Sequence, residues 1–223
     1  AATESYMIKA VLFDLDGTFA DTAPDLGAAL NHVRSLHQLP PLPLEITRLQ
    51  ASHGSAGLLK LGFNVTPDDA TFPALRDAFL AHYTAHICDH TTLFPGMAEL
   101  IATLEQRGLP WGIVTNKPQR FTLPLMQALG MASRAACLVS GDTCAHAKPH
   151  PEPMLHAAKS IGVAPENCLY LGDDKRDMEA GRAAGMSSLI ALYGYIDPQA
   201  PLDTWQASGA IASPLALLDH IHP

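Results

Sequence analysis

Positive charge is scarce in this sequence. Fourteen Lys and Arg stand against 22 Asp and Glu, for a formal net charge of −8. That balance argues against nonspecific binding of nucleic acid or anionic membranes, both of which need basic patches. Charged residues of either sign are only 16% of the chain while hydrophobic ones are 48%, so a sizeable core can form and disorder is excluded. Cysteine is sparse as well. Cys88, Cys137, Cys144 and Cys168 show no C-x-x-C pair and no zinc spacing, which reads as free thiols in a reducing cytosol. No apolar run is long enough to span a membrane, and no charged segment followed by an apolar stretch and a cleavage site is seen. The eleven histidines show no metal spacing such as H-E-x-x-H. What these absences leave is a globular protein expected in the cytoplasm, as monomer or homodimer. Its 223 residues suit one large domain or a core with a smaller insertion. Residues 1–6 read as a short polar arm, with Met7 a candidate original start.

What is present is a recurring buried-strand pattern that ends in polar residues. Val11–Phe13 runs into Asp14, Trp111–Val114 into Thr115-Asn116-Lys117, Cys137–Val139 into Ser140-Gly141-Asp142, and Cys168–Leu171 into Gly172-Asp173-Asp174. Ser188–Tyr193 reads as a fifth strand. Between them, Met97–Arg107, Phe121–Leu129, Pro153–Ile161 and Asp177–Ala184 carry apolar residues at helical spacing. Gly108, Gly130, Gly162 and Gly185 close these stretches, as suits helix C-termini. Short apolar strands alternating with helices predict an α/β fold, a parallel sheet with helices on both faces.

From Thr22 to Thr92 the rhythm changes. Helical patterns at Asp25–Leu36, Leu44–Gln50, Ala56–Leu61 and Pro67–His86 replace strands, broken by Pro40-Pro41-Leu42-Pro43 and Gly54. The reading is a core of residues 1–20 and 93–223 with a helical insertion, residues 21–92, after the first strand. Placed there, the insertion is a natural lid over that strand's carboxyl end, able to exclude water and select substrates. Asp21-Thr22 reads as a hinge into it, or as an ordinary capping pair ahead of Pro24. The glycine-containing break Ser52-His53-Gly54-Ser55 makes His53 a candidate to reach substrate.

Ligands of open α/β sheets bind beyond the carboxyl ends of the strands. There, Asp14 and Asp16 come from the first strand, Thr115 and Asn116 from the second, Lys148 from the segment before a helix, and Asp173, Asp174 and Asp177 from a fourth strand end. Taken singly, such acids serve equally as turn formers or helix caps, and Thr115 as an N-cap. Taken together, carboxylates for a hard divalent cation, a hydroxyl and an amide for oxyanions, and one lysine to balance charge make a phosphoryl-transfer site. A carboxylate can itself be the nucleophile.

The order D-x-D-G-T, T-N, K-P-x-P and G-D-D-x-x-D resembles the four motifs of the haloacid dehalogenase-like phosphatases, and the resemblance spans nearly the whole chain. It implies a Rossmann-like core with an inserted α-helical cap. It also implies Mg²⁺ and a small-molecule phosphate ester substrate. Asp14 would be the nucleophile and a metal ligand. Asp16 would be the general acid and base, binding the metal through its carbonyl. Thr115, with the Asn116 and Gly17 amides, would hold the phosphoryl group. Lys148 would neutralise charge, Asp173 would ligate the metal with Asp177 close by, and Asp174 would steady the loop. Phe19 stands where leucine is usual in the family. Among its branches the chain is most similar to phosphoglycolate phosphatase-like enzymes, and within them to the branch acting on N-acetylmuramic acid 6-phosphate. A dehalogenase is disfavoured by Asp16 and Asp173. A phosphonatase needs a cap lysine, and Lys60 alone is available in an ordinary helical pattern. A sugar-phosphate mutase of the same fold and a non-catalytic phosphate-ligand sensor remain as alternatives.

Overall fold

A computed structural model describes residues 7–222, so the polar arm expected for residues 1–6 lies outside the described residues. In chain order the elements are β1 (Ala10–Phe13), β2 (Ala20–Asp21), α1 (Ala23–Leu36), α2 (Leu44–Thr47), α3 (Gly54–Phe63), α4 (Phe72–Ala85), β3 (Thr92–Leu93), α5 (Met97–Gln106), β4 (Trp111–Val114), α6 (Gln119–Ala128), β5 (Cys137–Val139), α7 (Glu152–Ile161), β6 (Cys168–Gly172), α8 (Lys175–Ala183), β7 (Ser187–Ala191) and β8 (Gly209–Ile211). Six strands form one parallel sheet in the order β5-β4-β1-β6-β7-β8. β1 lies in the middle, with Leu12 beside Gly112 on one side and Tyr170 on the other.

Burial on both faces explains why β1 is apolar throughout, since a covered parallel strand has no solvent side. Alternate residues serve opposite faces. Val11 and Phe13 pack with Met97, Leu100 and Ile101 of α5 and Leu125 of α6. Ala10 and Leu12 pack with Met154 and Ala157 of α7 and Ala180 of α8. Phe19 is fully buried and stacks on Trp111 at 5.3 Å between centroids. The larger ring thus fills a space between the turn after β1 and β4.

The helices between β2 and β3 make a second apolar cluster: Leu26, Leu30 and Val33 of α1, Leu58 and Leu59 of α3, and Leu75, Phe79 and Tyr83 of α4. Phe94, Phe121 and Tyr195 of the sheet-bearing part join it. The chain leaves and returns along the antiparallel pair β2–β3. Asp25, in the first turn of α1, accepts hydrogen bonds from the His90 and Thr91 amides and the Thr91 hydroxyl (2.7–3.2 Å). These bonds offset the cost of burying its carboxylate and tie the exit of the helical segment to its return.

Several sequence expectations need correction. The expected helix over Pro67–His86 starts at Phe72, because the Asp69 carboxylate captures the Thr66 amide at 2.6 Å and turns the chain first. The Leu44–Gln50 pattern is α-helical only to Thr47 and tightens to a 3₁₀ segment over Arg48–His53. The fifth strand ends at Ala191 rather than Tyr193. The β2–β3 ribbon and β8 are short pieces with too few residues to show a period.

Candidate active site

The site lies beyond the carboxyl ends of β1, β4 and β6, where strand order places β1 between two later strands. Asp14 continues β1, its amide donating to the Leu171 carbonyl at 2.9 Å. Its Oδ1 accepts from the Leu15 amide (2.8 Å) and from Lys148 Nζ (3.1 Å). Lys148 Nζ also reaches Asp177 Oδ1 (2.7 Å), the Tyr170 hydroxyl (2.7 Å) and the Val114 carbonyl (2.9 Å). Burial opposes the charge on this ammonium, but Asp14 and Asp177 outweigh it and its pKa is raised. Asn116 holds this lysine's segment in place: its side chain accepts from the Lys148 amide (2.9 Å) and donates to the Lys148 carbonyl (2.8 Å).

Asp173 follows β6, and its Oδ2 accepts from Ser52 Oγ (2.8 Å) and the Tyr195 amide (3.0 Å). Asp177 is completely buried in the first turn of α8, with Oδ2 accepting from the Asp174 amide at 3.1 Å. Asp14, Asp173 and Asp177 each bring a carboxylate oxygen within 4.8 Å of the others. Burial, then Asp177, pushes Asp14 well above the usual carboxylate range and Asp173 up to about 6. Three buried carboxylates facing one buried ammonium form a donor set that fits a hard divalent cation with oxygen ligands.

Gly17 sits at φ +82, where a Cβ would lie 2.2 Å from Asp173 Oδ2 and 2.8 Å from the Tyr195 ring. Its amide is engaged by the Ala20 carbonyl at 3.1 Å. Glycine at this position therefore makes room for Asp173. The Asp16 carboxylate stands apart from the acidic cluster. Its Oδ1 accepts from Thr22 Oγ1 (2.7 Å) and Lys117 Nζ (2.8 Å), while its backbone carbonyl accepts from Ser52 Oγ at 3.3 Å. Thr115 is buried beside Asp14 and Asp16 in the cavity lining, its Oγ1 accepting from the Lys117 amide at 3.1 Å.

His53 reaches down from the helical layer and lines the cavity, where two side chains hold its ring. Its Nε2 lies 3.1 Å from Asp174 Oδ2 and its Nδ1 2.9 Å from Gln50 Oε1. Burial works against the charge of Asp174, yet the bond from His53 and the charge of Arg176 bring its pKa down to about 2. Asp174 also caps α8 through the Arg176 amide, so it steadies the loop. Lys60 is exposed on α3 and lines no part of the cavity.

Sequence reasoning missed Lys117, Ser52, Arg176 and Tyr83. Lys117 and Arg176 lie inside the quoted motif stretches, but their direction could not be read there. Ser52 and Tyr83 come from the helical segment, where no motif marks them. Above Asp14 and Asp16 a cavity of about 790 Å³ opens, walled by α4 with Arg76, Leu80 and Tyr83 and by α6 with Arg120 and Phe121. Its floor can present a nucleophilic carboxylate to a phosphate ester. Among the described residues, no helix is long and apolar enough to cross a membrane.

The model of the haloacid dehalogenase-like hydrolase family matches residues 11–191. An N-acetylmuramic acid 6-phosphate phosphatase of Pseudomonas aeruginosa is 41% identical over 95% of this chain and 94% of its own length. A phosphoglycolate phosphatase of Xanthomonas campestris pv. campestris is 45% identical over 92% and 93%. Among solved structures, a hydrolase from Pseudomonas syringae superposes with a TM-score of 0.74 at 28% identity, covering 95% of this chain and 97% of that one. A predicted phosphoglycolate phosphatase from Haemophilus somnus shares the fold, with a TM-score of 0.84 at 24% identity over 96% and 97%. With this family match over most of its length, the chain belongs to the haloacid dehalogenase-like hydrolase family and is, like these curated relatives, a phosphoric monoester hydrolase.

Proposed function

We propose that this enzyme cleaves the phosphate monoester of a sugar-sized acid, of the N-acetylmuramic acid 6-phosphate kind, through a phosphorylated Asp14. The observation that carries the mechanism is the placement of Asp14. It is buried at the cavity floor, with Lys148 3.1 Å away and Asp173 and Asp177 beside it. Mg²⁺ bound by Asp14, Asp173 and the Asp16 carbonyl, with Asp177 alongside, would supply charge neutralisation at the phosphoryl oxygens.

Asp14 forms a bond to phosphorus while the ester oxygen departs, taking a proton from Asp16. Water then attacks the aspartyl-phosphate, Asp16 accepts its proton, and phosphate leaves. Lys148 offsets negative charge at the nucleophile throughout, and Thr115, with the Asn116 amide, holds the phosphoryl oxygens. The burden falls on positioning and electrostatics, because the transition state is loose and anionic. Residues 21–92 act as the cap that selects substrate, with Ser52 and His53 fixing it over the core. The substrate assignment rests on space: a cavity of about 790 Å³ lies in the range that holds a ligand of many heavy atoms. It is generous for the small phosphoglycolate.

The test is phosphate release with Mg²⁺, comparing kcat/KM for N-acetylmuramic acid 6-phosphate, 2-phosphoglycolate and glucose 6-phosphate. Preference for the first is expected. Preference for 2-phosphoglycolate would overturn the substrate assignment, and release from none of them would overturn the hydrolytic one.

A further inference from the structure

Among the described residues, Ser52 is the one member of the helical layer whose side chain hydrogen-bonds the acidic cluster. It lies in the 3₁₀ segment Arg48–His53, where only Ala51 and Ser52 are buried. Its hydroxyl stands 2.8 Å from Asp173 Oδ2 and 3.3 Å from the Asp16 carbonyl. Its own carbonyl accepts from the Arg176 guanidinium at the start of α8, so the core grips this residue on two sides. A serine hydroxyl has one proton to give. The shorter contact, to a carboxylate, takes it, and the Asp16 carbonyl keeps its lone pairs for another partner.

The two oxygens of Asp173 are treated differently. Oδ2 accepts from Ser52 and from the Tyr195 amide at 3.0 Å, in the space that Gly17 leaves by having no Cβ. Oδ1 has only Thr18 Oγ1 at 3.5 Å, beyond the ordinary range of a hydrogen bond. One oxygen is therefore pinned and the other is offered. Outer donors orient metal-ligating carboxylates in this way. Without Ser52, Asp173 would keep a single firm donor, and its carboxylate would turn more freely beside Asp14 and Asp177.

We infer that Ser52 is a positioning residue for the divalent cation, acting through Asp173, and that it makes cation binding depend on the seating of the helical layer. This rests on the Mg²⁺ reading above. The dependence runs both ways: if seating orients the ligand, the bound cation must strengthen seating by the same factor. His53, the next residue, provides the contrast. It ties the same segment to Asp174 at 3.1 Å through a side chain that is 43% exposed, and Asp174 stands outside the cluster.

The experiment titrates metal-free protein with Mg²⁺ by calorimetry. Ser52→Ala should weaken the Kd by about 10- to 100-fold. His53→Ala, which removes an exposed tie, should stay within about threefold of the parent. Melting curves of the metal-free variants check that both are folded. In the parent, Mg²⁺ should slow hydrogen exchange of the amides over residues 48–56, and Ser52→Ala should lose that protection. An unchanged Kd in Ser52→Ala would overturn the inference. So would an equal loss in His53→Ala, which would assign the effect to a loosened segment rather than to the hydroxyl. Exchange that Mg²⁺ does not slow in the parent would overturn the link to the helical layer. If the parent itself binds no Mg²⁺, the metal reading falls first and takes this inference with it.

Discussion

At the scale of single residues, the site is a problem of crowded charge. Asp14, Asp173 and Asp177 repel one another in a buried space, and Lys148 is the ammonium that touches two of them. Replacing Asp14 with Asn removes the proposed nucleophile and one of the repelling charges. Turnover should drop on the order of 10⁴-fold or more, while the melting temperature of the metal-free protein holds or rises, as steady-state assays and calorimetry would show. Lys148→Met works in the opposite sense. It leaves Asp14 and Asp177 without their cation in a dry environment, and breaking such a buried pair costs about 3–5 kcal/mol. Denaturant unfolding should register that loss, and a variant as stable as the parent would refute the charge-balancing role. The types and order of these residues were legible in the sequence, because each follows a strand whose apolar run is plain. Their directions were not. Asp14 and Asp16 lie two positions apart, yet one points into the acidic cluster and the other towards Lys117.

Elements carry a different kind of information. Strands β1, β4, β6 and β7 were readable because burial on both faces forces continuous hydrophobic runs, and α5 to α8 end within two residues of their closing glycines. The β2–β3 ribbon was not readable. Two-residue strands have no period, and the ribbon is held by partners about seventy residues apart. The pairing of α1 with α4 has a consequence that neither helix shows alone. His32 of α1 stacks at 4.3 Å on His82 of α4, which stacks at 4.4 Å on His86 just beyond that helix. Burial, then the neighbouring His32 and His86, lowers the pKa of His82, against a smaller opposing pull from Asp89 and Asp25. A histidine depressed in the folded state contributes stability that is present above its unfolded value, near 6.5, and is lost as pH falls through the folded value. The melting temperature should therefore decline as pH drops from about 7 towards 5, and His82→Gln should flatten that decline. An unchanged slope in the variant would remove His82 from the account.

For the whole molecule, the decisive feature is that two apolar clusters meet over one acidic floor. The helical layer joins the sheet-bearing part through Phe94, Phe121 and Tyr195, and through polar ties of Ser52 to Asp173 and His53 to Asp174. A divalent cation at that floor would bind the folded chain and not the unfolded one, so it must stabilise by mass action. Chelation with EDTA should abolish phosphate release and lower the melting temperature, and added Mg²⁺ should restore both. Activity that survives chelation would exclude the metal from the reaction.

By itself, the sequence determined the α/β class, the strand ends where the acidic residues gather and the stretch of helices that follows the first strand. Each of these is written in local hydrophobic pattern and in residue type at fixed spacing. The tertiary structure alone decided that the Asp16 carboxylate turns to Lys117 and Thr22, that the Asn116 side chain holds the Lys148 segment while Gly17 makes room for Asp173, and that Tyr83 of α4 walls the cavity. These depend on which strands become neighbours of β1 and on which way each side chain turns. Contacts between residues tens of positions apart set both, and no local period records them.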